Sequence, residues 1–75
     1  MTKQKFLEEL QEILETEIVL DETVKVAEIP EWDSLTMFGI IAFIKESFDI
    51  DLKRSDVNKI STISDLMAIV SAQIE

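Results

Sequence analysis

Cysteine and histidine are both absent from this chain of 75 residues. Without cysteine, no disulfide can stabilise a fold of this length, which lies near the lower size at which a single core holds together unaided. The two absences together exclude a zinc site of the usual ligand types. Hydrophobic residues nevertheless make up 47% of the chain, too many for a disordered acidic tail. We therefore expect one folded domain over residues 1–75.

Basic residues are also scarce, with 7 against 16 acidic residues and a formal net charge of −9. Such a surface repels phosphate backbones and anionic lipid headgroups, so we expect neither nucleic acid nor a membrane surface as a partner. Basic protein surfaces are the expected partners, because opposite electrostatic fields accelerate the encounter of two proteins.

Long apolar runs are missing as well. The N-terminal segment "MTKQKFLEEL" contains no uninterrupted apolar stretch, unlike a signal peptide. No segment reaches the roughly 20 apolar residues of a membrane span. We therefore expect a cytoplasmic protein that does not insert into a membrane. We also expect a monomer, although the sequence does not settle whether the apolar surface of helix two mediates dimerisation.

Glycine and proline each occur once, and this scarcity of helix-breaking residues favours helices. Apolar residues at helical spacing predict an all-α fold: a small four-helix bundle with three main helices, one short third helix and a long loop between helices one and two. The predicted helices cover residues 2–16, 33 or 34–48, 55–59 and 63–72, and the predicted loop covers residues 17–31.

Residues that can accept hydrogen bonds from the first turn precede each predicted helix. The predicted N-caps are Thr2, Asp33, Ser55 and Thr62, and Thr62 with Asp65 resembles a capping box.

Helical spacing also predicts which side chains face the core. The expected inner residues are Phe6, Leu7, Leu10, Ile13 and Leu14 in helix one, and Phe38, Ile41, Ile44 and Phe48 in helix two. The loop residues expected to pack on the core are Ile18, Val19, Val24, Val26 and Ile29. Steps of about 100° per residue leave Leu35 and Phe43 away from the inner arc of helix two, so both are expected to be partly exposed.

The segment "EWDSL" places Ser34 after a tryptophan and an acid and directly before the apolar second helix. A nucleophilic serine needs a base and an oxyanion site. Because the chain has no histidine and little room for a cleft, we do not expect an enzyme. Ser34 either only starts the helix or is modified by another enzyme, since free N–H groups and the positive end of a helix stabilise an attached phosphate.

The residues that follow resemble the acyl carrier protein family. The segment "DSLTMFGIIAFIKESFDIDL" is similar to that family's modification motif and second helix, and "VNKISTISDLMAIV" resembles its junction between the third and fourth helices. The resemblance covers nearly the whole chain and is strongest from Asp33 to Val70. A bare "DSL" is a weak signal, but at this spacing in a short acidic chain it is specific.

The resemblance implies that a separate Mg²⁺-dependent phosphopantetheinyl transferase attaches 4′-phosphopantetheine from coenzyme A to Ser34. Asp33 and Leu35 match the recognition positions beside that serine. Acyl groups would travel as thioesters on the thiol of the arm, which would account for the absent cysteine. The domain would present a tethered substrate at high effective concentration to a loading enzyme and to later enzymes of a fatty-acid, polyketide or specialised pathway.

Two departures from fatty-acid carriers favour a specialised carrier. Trp32 stands where those carriers have a small residue, and we expect a half-buried lid over the junction of loop and core, with a contact surface beside the arm as the alternative. Helix two has Glu46 as its only internal acid, where fatty-acid carriers have several. The expected partner-binding residues are therefore Trp32, Asp33, Leu35, Phe43 and Glu46.

Gly39 stands in the middle of helix two, where glycine costs about 1 kcal/mol relative to alanine. It is either simply tolerated or marks the close approach of a partner or of the arm. Two alternatives to an acyl carrier remain at this point: an aminoacyl or peptidyl carrier with the same arm, and an unmodified helical protein-interaction module that uses Leu35 and Phe43. No metal site is expected.

Overall fold

The computed structural model describes residues 1–74 and confirms the predicted all-α fold. Within those residues, four α-helices and a short 3₁₀ helix follow one another along the chain. They are α1 (Lys3–Leu14), the 3₁₀ helix (Val26–Glu28), α2 (Ser34–Phe48), α3 (Arg54–Asn58) and α4 (Ile63–Ile69). None of these helices is long and apolar enough to cross a membrane.

Helix α1 begins and ends where local hydrogen bonds dictate. The Thr2 hydroxyl oxygen accepts from the backbone N–H of Lys5 at 3.1 Å, which confirms the predicted N-cap. The helix stops two residues before the predicted Thr16, because Glu15 adopts a left-handed conformation with φ of 52°. Its inner face buries Phe6, Leu10 and Leu14 against the core.

The inner face of α2 differs from the predicted one. Ile40, Ile44 and Phe48 are buried, whereas Phe38, predicted to face inward, is 57% exposed and Ile41 is half-buried. Apolar residues occur almost all round this helix, so periodicity alone could not fix its rotation about its axis. Contacts with the other helices fix that rotation instead.

Gly39 marks a contact between α1 and α2 that helps to fix the rotation of α2. A Cβ atom added at this position would lie 3.0 Å from Ile13 Cγ2, closer than side chains normally pack. Gly39 therefore marks a close approach, as one of the two interpretations held, and the approaching element is α1 of the same chain in place of a partner or the arm.

This packing predicts that the effect of Gly39→Ala depends on Ile13. In an Ile13→Ala background the substitution should stabilise the protein by about 1 kcal/mol, the helix-propensity gain of alanine over glycine. In the wild-type background the gain should be smaller, because Ile13 must move to make room. Urea unfolding of the two single variants and the double variant measures the difference; equal effects in both backgrounds would contradict the contact.

The loop between α1 and α2 packs on the core and pairs with the segment before α4. Leu20 and Ile29 are buried, but Val19 is 79% exposed, so its predicted packing is wrong. Helical periodicity does not apply in a loop, so the sequence could not show which of the adjacent apolar residues Val19 and Leu20 would face the core. Backbone N–H groups donate from Val26 to Ser61 O and from Ile63 to Val24 O, each at 2.9 Å.

The two C-terminal helices follow the sequence prediction except at their ends. Helix α3 begins at Arg54, one residue early, and Ser55 lies inside it, so the predicted Ser55 cap is wrong. Helix α4 ends at Ile69 and not at Ala72. The Thr62 cap is confirmed, because its hydroxyl oxygen accepts from the backbone N–H of Asp65 at 3.3 Å.

The Asp65 carboxylate makes the start of α4 sensitive to pH. Hydrogen bonds from the backbone N–H groups of Ser61 and Thr62 lower the pKa of this carboxyl below its usual value. A carboxyl whose pKa is lower in the folded state stabilises the fold above its unfolded pKa, about 3.9, and this contribution is lost as the pH falls through the folded pKa.

We therefore expect Asp65→Asn to melt below the wild type near neutral pH, because an amide accepts these bonds less well. The difference in Tm should narrow as the pH falls below about 4, where the wild-type carboxylate becomes protonated. Thermal unfolding of both proteins across this range tests the expectation, and a constant difference would contradict it.

Candidate functional site

Ser34 is the first residue of α2 and is exposed. The residue before it, Asp33, is the N-cap: its Oδ1 accepts from the backbone N–H of Thr36 at 3.0 Å, and its own N–H donates to Thr36 Oγ1 at 2.9 Å. This reciprocal pair confirms the predicted Asp33 cap. It also leaves the Ser34 hydroxyl with no capping task.

The segment that leads into α2 is held by further hydrogen bonds. The Thr36 hydroxyl donates to the backbone carbonyl of Glu31 at 2.8 Å, and the Trp32 N–H donates to the carbonyl of Ile29 at 3.1 Å. Trp32 is half-buried and packs on the edge of the core, as expected for a lid over the junction of loop and core. The position of Ser34 is thus fixed from both sides along the chain.

The side chain that reaches Ser34 comes from a different helix. Arg54, the first residue of α3, donates from Nη2 to Ser34 Oγ at 2.8 Å. Its Cζ lies 5.6 Å from the centre of the Phe38 ring, within the range of a cation–π contact. The sequence analysis missed Arg54. The available signal was the basic pair Lys53 and Arg54 directly after an acidic segment. The sequence pattern did not show which helix this pair would face.

The exposed side of α2 carries an apolar patch next to the serine. Leu35 is 79% exposed and Phe38 is 57% exposed. We call this side the exposed α2 face, and helical spacing places on it Ser34, Leu35, Phe38, Ala42, Lys45 and Glu46, all of which are exposed.

Phe43 lies away from the exposed α2 face. It is half-buried, as expected, and its ring centre is 5.7 Å from that of Phe6 and 6.0 Å from that of Phe48. Because its ring packs on Phe6 and Phe48, less of its surface is exposed for the partner contact that the sequence predicted. Phe38 is the more exposed aromatic residue on α2, and it was assigned to the core by the sequence analysis.

Lys45 is held by acids at the far end of the same helix. Its Nζ lies 3.2 Å from Asp49 Oδ1 and 3.5 Å from Asp51 Oδ1. The Lys45 ammonium donates a hydrogen bond to Asp49 Oδ1, and this bond raises the pKa of Lys45. Glu46 is exposed beside it and available for contact.

The chemistry that this arrangement permits is narrow. Among residues 1–74, Arg54 is the side chain hydrogen-bonded to Ser34 Oγ, and an arginine stays protonated and cannot act as a general base. No group of three acids that could hold a metal ion occurs in the same residues. The described concavities are lined by residues such as Lys3 and Met67, or Glu8 and Gln11, and not by Ser34. Ser34 is therefore an exposed hydroxyl that lies outside the described concavities.

Comparison of the chain with models of protein families, with curated proteins and with solved structures found no match.

Proposed function

We propose that this chain is a carrier protein that holds acyl intermediates as thioesters on a 4′-phosphopantetheine arm attached to Ser34. The observation that carries the proposal is the exposed Ser34 hydroxyl at the first turn of α2, where Asp33 takes the capping role and leaves that hydroxyl without one. The similarity of "DSL" and the following helix to the acyl carrier family supports it.

The attachment is a transfer between coenzyme A and the serine, catalysed by a partner transferase. A bond forms between Ser34 Oγ and the phosphorus nearest the pantetheine, and the bond from that phosphorus to the bridging diphosphate oxygen breaks. Adenosine 3′,5′-bisphosphate leaves, and the hydroxyl proton passes to a base on the transferase. The arm, when bound, supplies the thiol that this cysteine-free chain lacks.

The structure around Ser34 suits a phosphodiester. The free backbone N–H groups and positive end of α2, a helix of 15 residues, favour a negative group at its start. An exposed serine also lets a transferase reach its oxygen without unfolding the segment. Asp33 and Leu35 flank it as exposed recognition positions.

The partners that fit best are enzymes with a basic rim and an apolar centre. The net charge of −9 favours the approach of basic surfaces, while Leu35 and Phe38 offer an apolar contact on the exposed α2 face. With Glu46 as the one acid on this face, a specialised pathway fits better than general fatty-acid synthesis. An aminoacyl or peptidyl carrier would have the same arm and would differ only in its loading enzyme.

A second candidate function is an unmodified helical interaction module. The 79% exposure of Leu35 and 57% exposure of Phe38 favour it, because large exposed apolar side chains that lie together often mark a protein contact. In that case Ser34 would remain a free hydroxyl.

Intact-mass analysis separates the two candidates. The purified protein is incubated with coenzyme A, Mg²⁺ and a broad-specificity phosphopantetheinyl transferase, and the modified peptide is then mapped. A gain of one arm located on Ser34 supports the carrier. A folded protein that gains no mass with any competent transferase contradicts it and supports the interaction module.

A further inference from the structure

We propose that Arg54 is a positioning residue for the phosphodiester, holding the attached group against the surface of α2 beside Phe38. This inference rests on the proposed function, because the phosphodiester exists only if Ser34 accepts the arm. It adds a role for a residue of α3, twenty positions away in the sequence from the serine.

Arg54 already lies within hydrogen-bond distance of the oxygen that would carry the phosphorus. Arg54 Nη2 lies 2.8 Å from Ser34 Oγ, and this oxygen becomes one of the two bridging oxygens of the phosphodiester. The phosphorus would be one bond from that oxygen and the charged oxygens two bonds away. A guanidinium that already touches Oγ thus needs little movement to donate to the charged oxygens, and its planar fork suits paired hydrogen bonds to a phosphate.

Arg54 has no described carboxylate as an ion-pair partner. All ion pairs seen among residues 1–74 involve lysines, so none of the described carboxylates lies within 4.0 Å of Arg54. By contrast, Lys45 is already engaged by Asp49 and Asp51. In a chain with 16 acidic and 7 basic residues, an arginine without an acid partner beside the serine is a charge that an added anion can neutralise.

The neighbours of Arg54 and Ser34 favour this position of the guanidinium. The Phe38 ring, 5.6 Å from Arg54 Cζ, supports the guanidinium from one side. Asp33 directly precedes Ser34 and would repel an added negative charge. Its Oδ1 stays engaged with the Thr36 N–H, so it cannot move away without opening the cap. Arg54 would offset that repulsion and hold the first atoms of the arm on the Phe38 side.

The test is a thermodynamic cycle between the arm and residue 54. The wild type, Arg54→Gln, Arg54→Lys and Lys53→Gln are each prepared with and without the arm, and loading is verified by intact mass. Lys53→Gln is the matched control, because it removes the adjacent positive charge, and Lys53 makes no described side-chain contact with Ser34. Comparing each variant with its own unloaded form removes the direct effect of the substitution on folding.

In the loaded wild type, the contact between Arg54 and the phosphodiester should stabilise the fold, and Arg54→Gln lacks this contribution. On loading, the unfolding equilibrium constant of Arg54→Gln should therefore rise relative to that of the wild type by about 1.5- to 5-fold, the range for one exposed charge pair. Lys53→Gln should respond to loading as the wild type does. Arg54→Lys should retain part of the effect, because it keeps the charge but loses the fork.

Phosphorus NMR reports on the surroundings of the phosphodiester itself, which a stability measurement does not. The ³¹P resonance of the loaded Arg54→Gln protein should be displaced from that of the wild type, whereas the Lys53→Gln resonance should coincide with it. Added salt should move the wild-type resonance towards that of Arg54→Gln, since screening weakens an exposed pair.

The possible results separate a failure of the carrier function from a failure of the proposed role of Arg54. If the folded wild type accepts no arm, the proposed function fails and this inference fails with it. If the wild type accepts the arm but Arg54→Gln and Lys53→Gln give the same unfolding response and the same ³¹P resonance, the role of Arg54 is overturned and the carrier function stands.

Discussion

Ser34→Ala should abolish attachment of the arm completely, because the hydroxyl oxygen that forms the new bond to phosphorus is the one atom that alanine removes. The protein should stay folded. Ser34 is exposed and does not cap α2, so its replacement should change the free energy of unfolding by no more than about 0.5 kcal/mol. Intact mass after incubation with coenzyme A and a transferase measures the first effect, and urea unfolding the second.

Other serines of the chain provide controls for this substitution. Ser47 lies near the end of α2 and Ser55 within α3, and both are exposed. Ser47→Ala and Ser55→Ala should each accept one arm as the wild type does. A Ser34→Ala protein that still gains the arm would show that the attachment point is elsewhere and would remove the basis of the proposed function.

Phe6→Ala should have the largest effect on stability. Phe6 is fully buried, and its ring centre lies 5.7 Å from that of Phe43 and 5.8 Å from that of Phe48, so it joins α1 to α2. Truncating a buried phenylalanine costs about 3–5 kcal/mol. In a domain of this size, a single hydrophobic core rarely gives a free energy of unfolding above about 3–5 kcal/mol. We therefore expect a largely unfolded protein by far-UV circular dichroism at 25 °C.

Phe38→Ala is the matched control for Phe6→Ala, since it removes the same side chain from the exposed α2 face. Phe38 is 57% exposed and has the Arg54 guanidinium over its ring, a contact worth about 0.5–1 kcal/mol at an exposed site. Its removal should cost no more than about 1 kcal/mol. Similar losses for the two variants would mean that the rotation of α2 described here is wrong.

The helix starts could be predicted from the sequence because they depend on neighbours a few residues apart. Asp33 meets Thr36 and Thr62 meets Asp65 at a spacing of three residues, and such a cap forms whatever the rest of the chain does. The position of Ser34 at the start of a helix could be predicted for the same reason, because it also depends on neighbouring residues. Ser55 failed as a cap because α3 begins one residue earlier, a shift that a helix of five residues does not resist.

What the sequence could not predict depends on contacts between distant elements. The exposure of Phe38 follows from the rotation of α2, which is set by the approach of Ile13 to Gly39. The contact of Arg54 with Ser34 joins residues on two helices. Periodicity contains no information on either, since it describes one helix at a time.

The backbone bonds between the long loop and the segment before α4 have a kinetic consequence. The Val26, Ile63 and Ser64 amides are tied to Ser61, Val24 and Glu22 across about half the chain. Detaching the loop would break all these links together, so the three amides should exchange with deuterium in concert and far more slowly than exposed amides that lack such a bond. The long loop and the start of α4 would then open together as one cooperative unit and not as two independent segments.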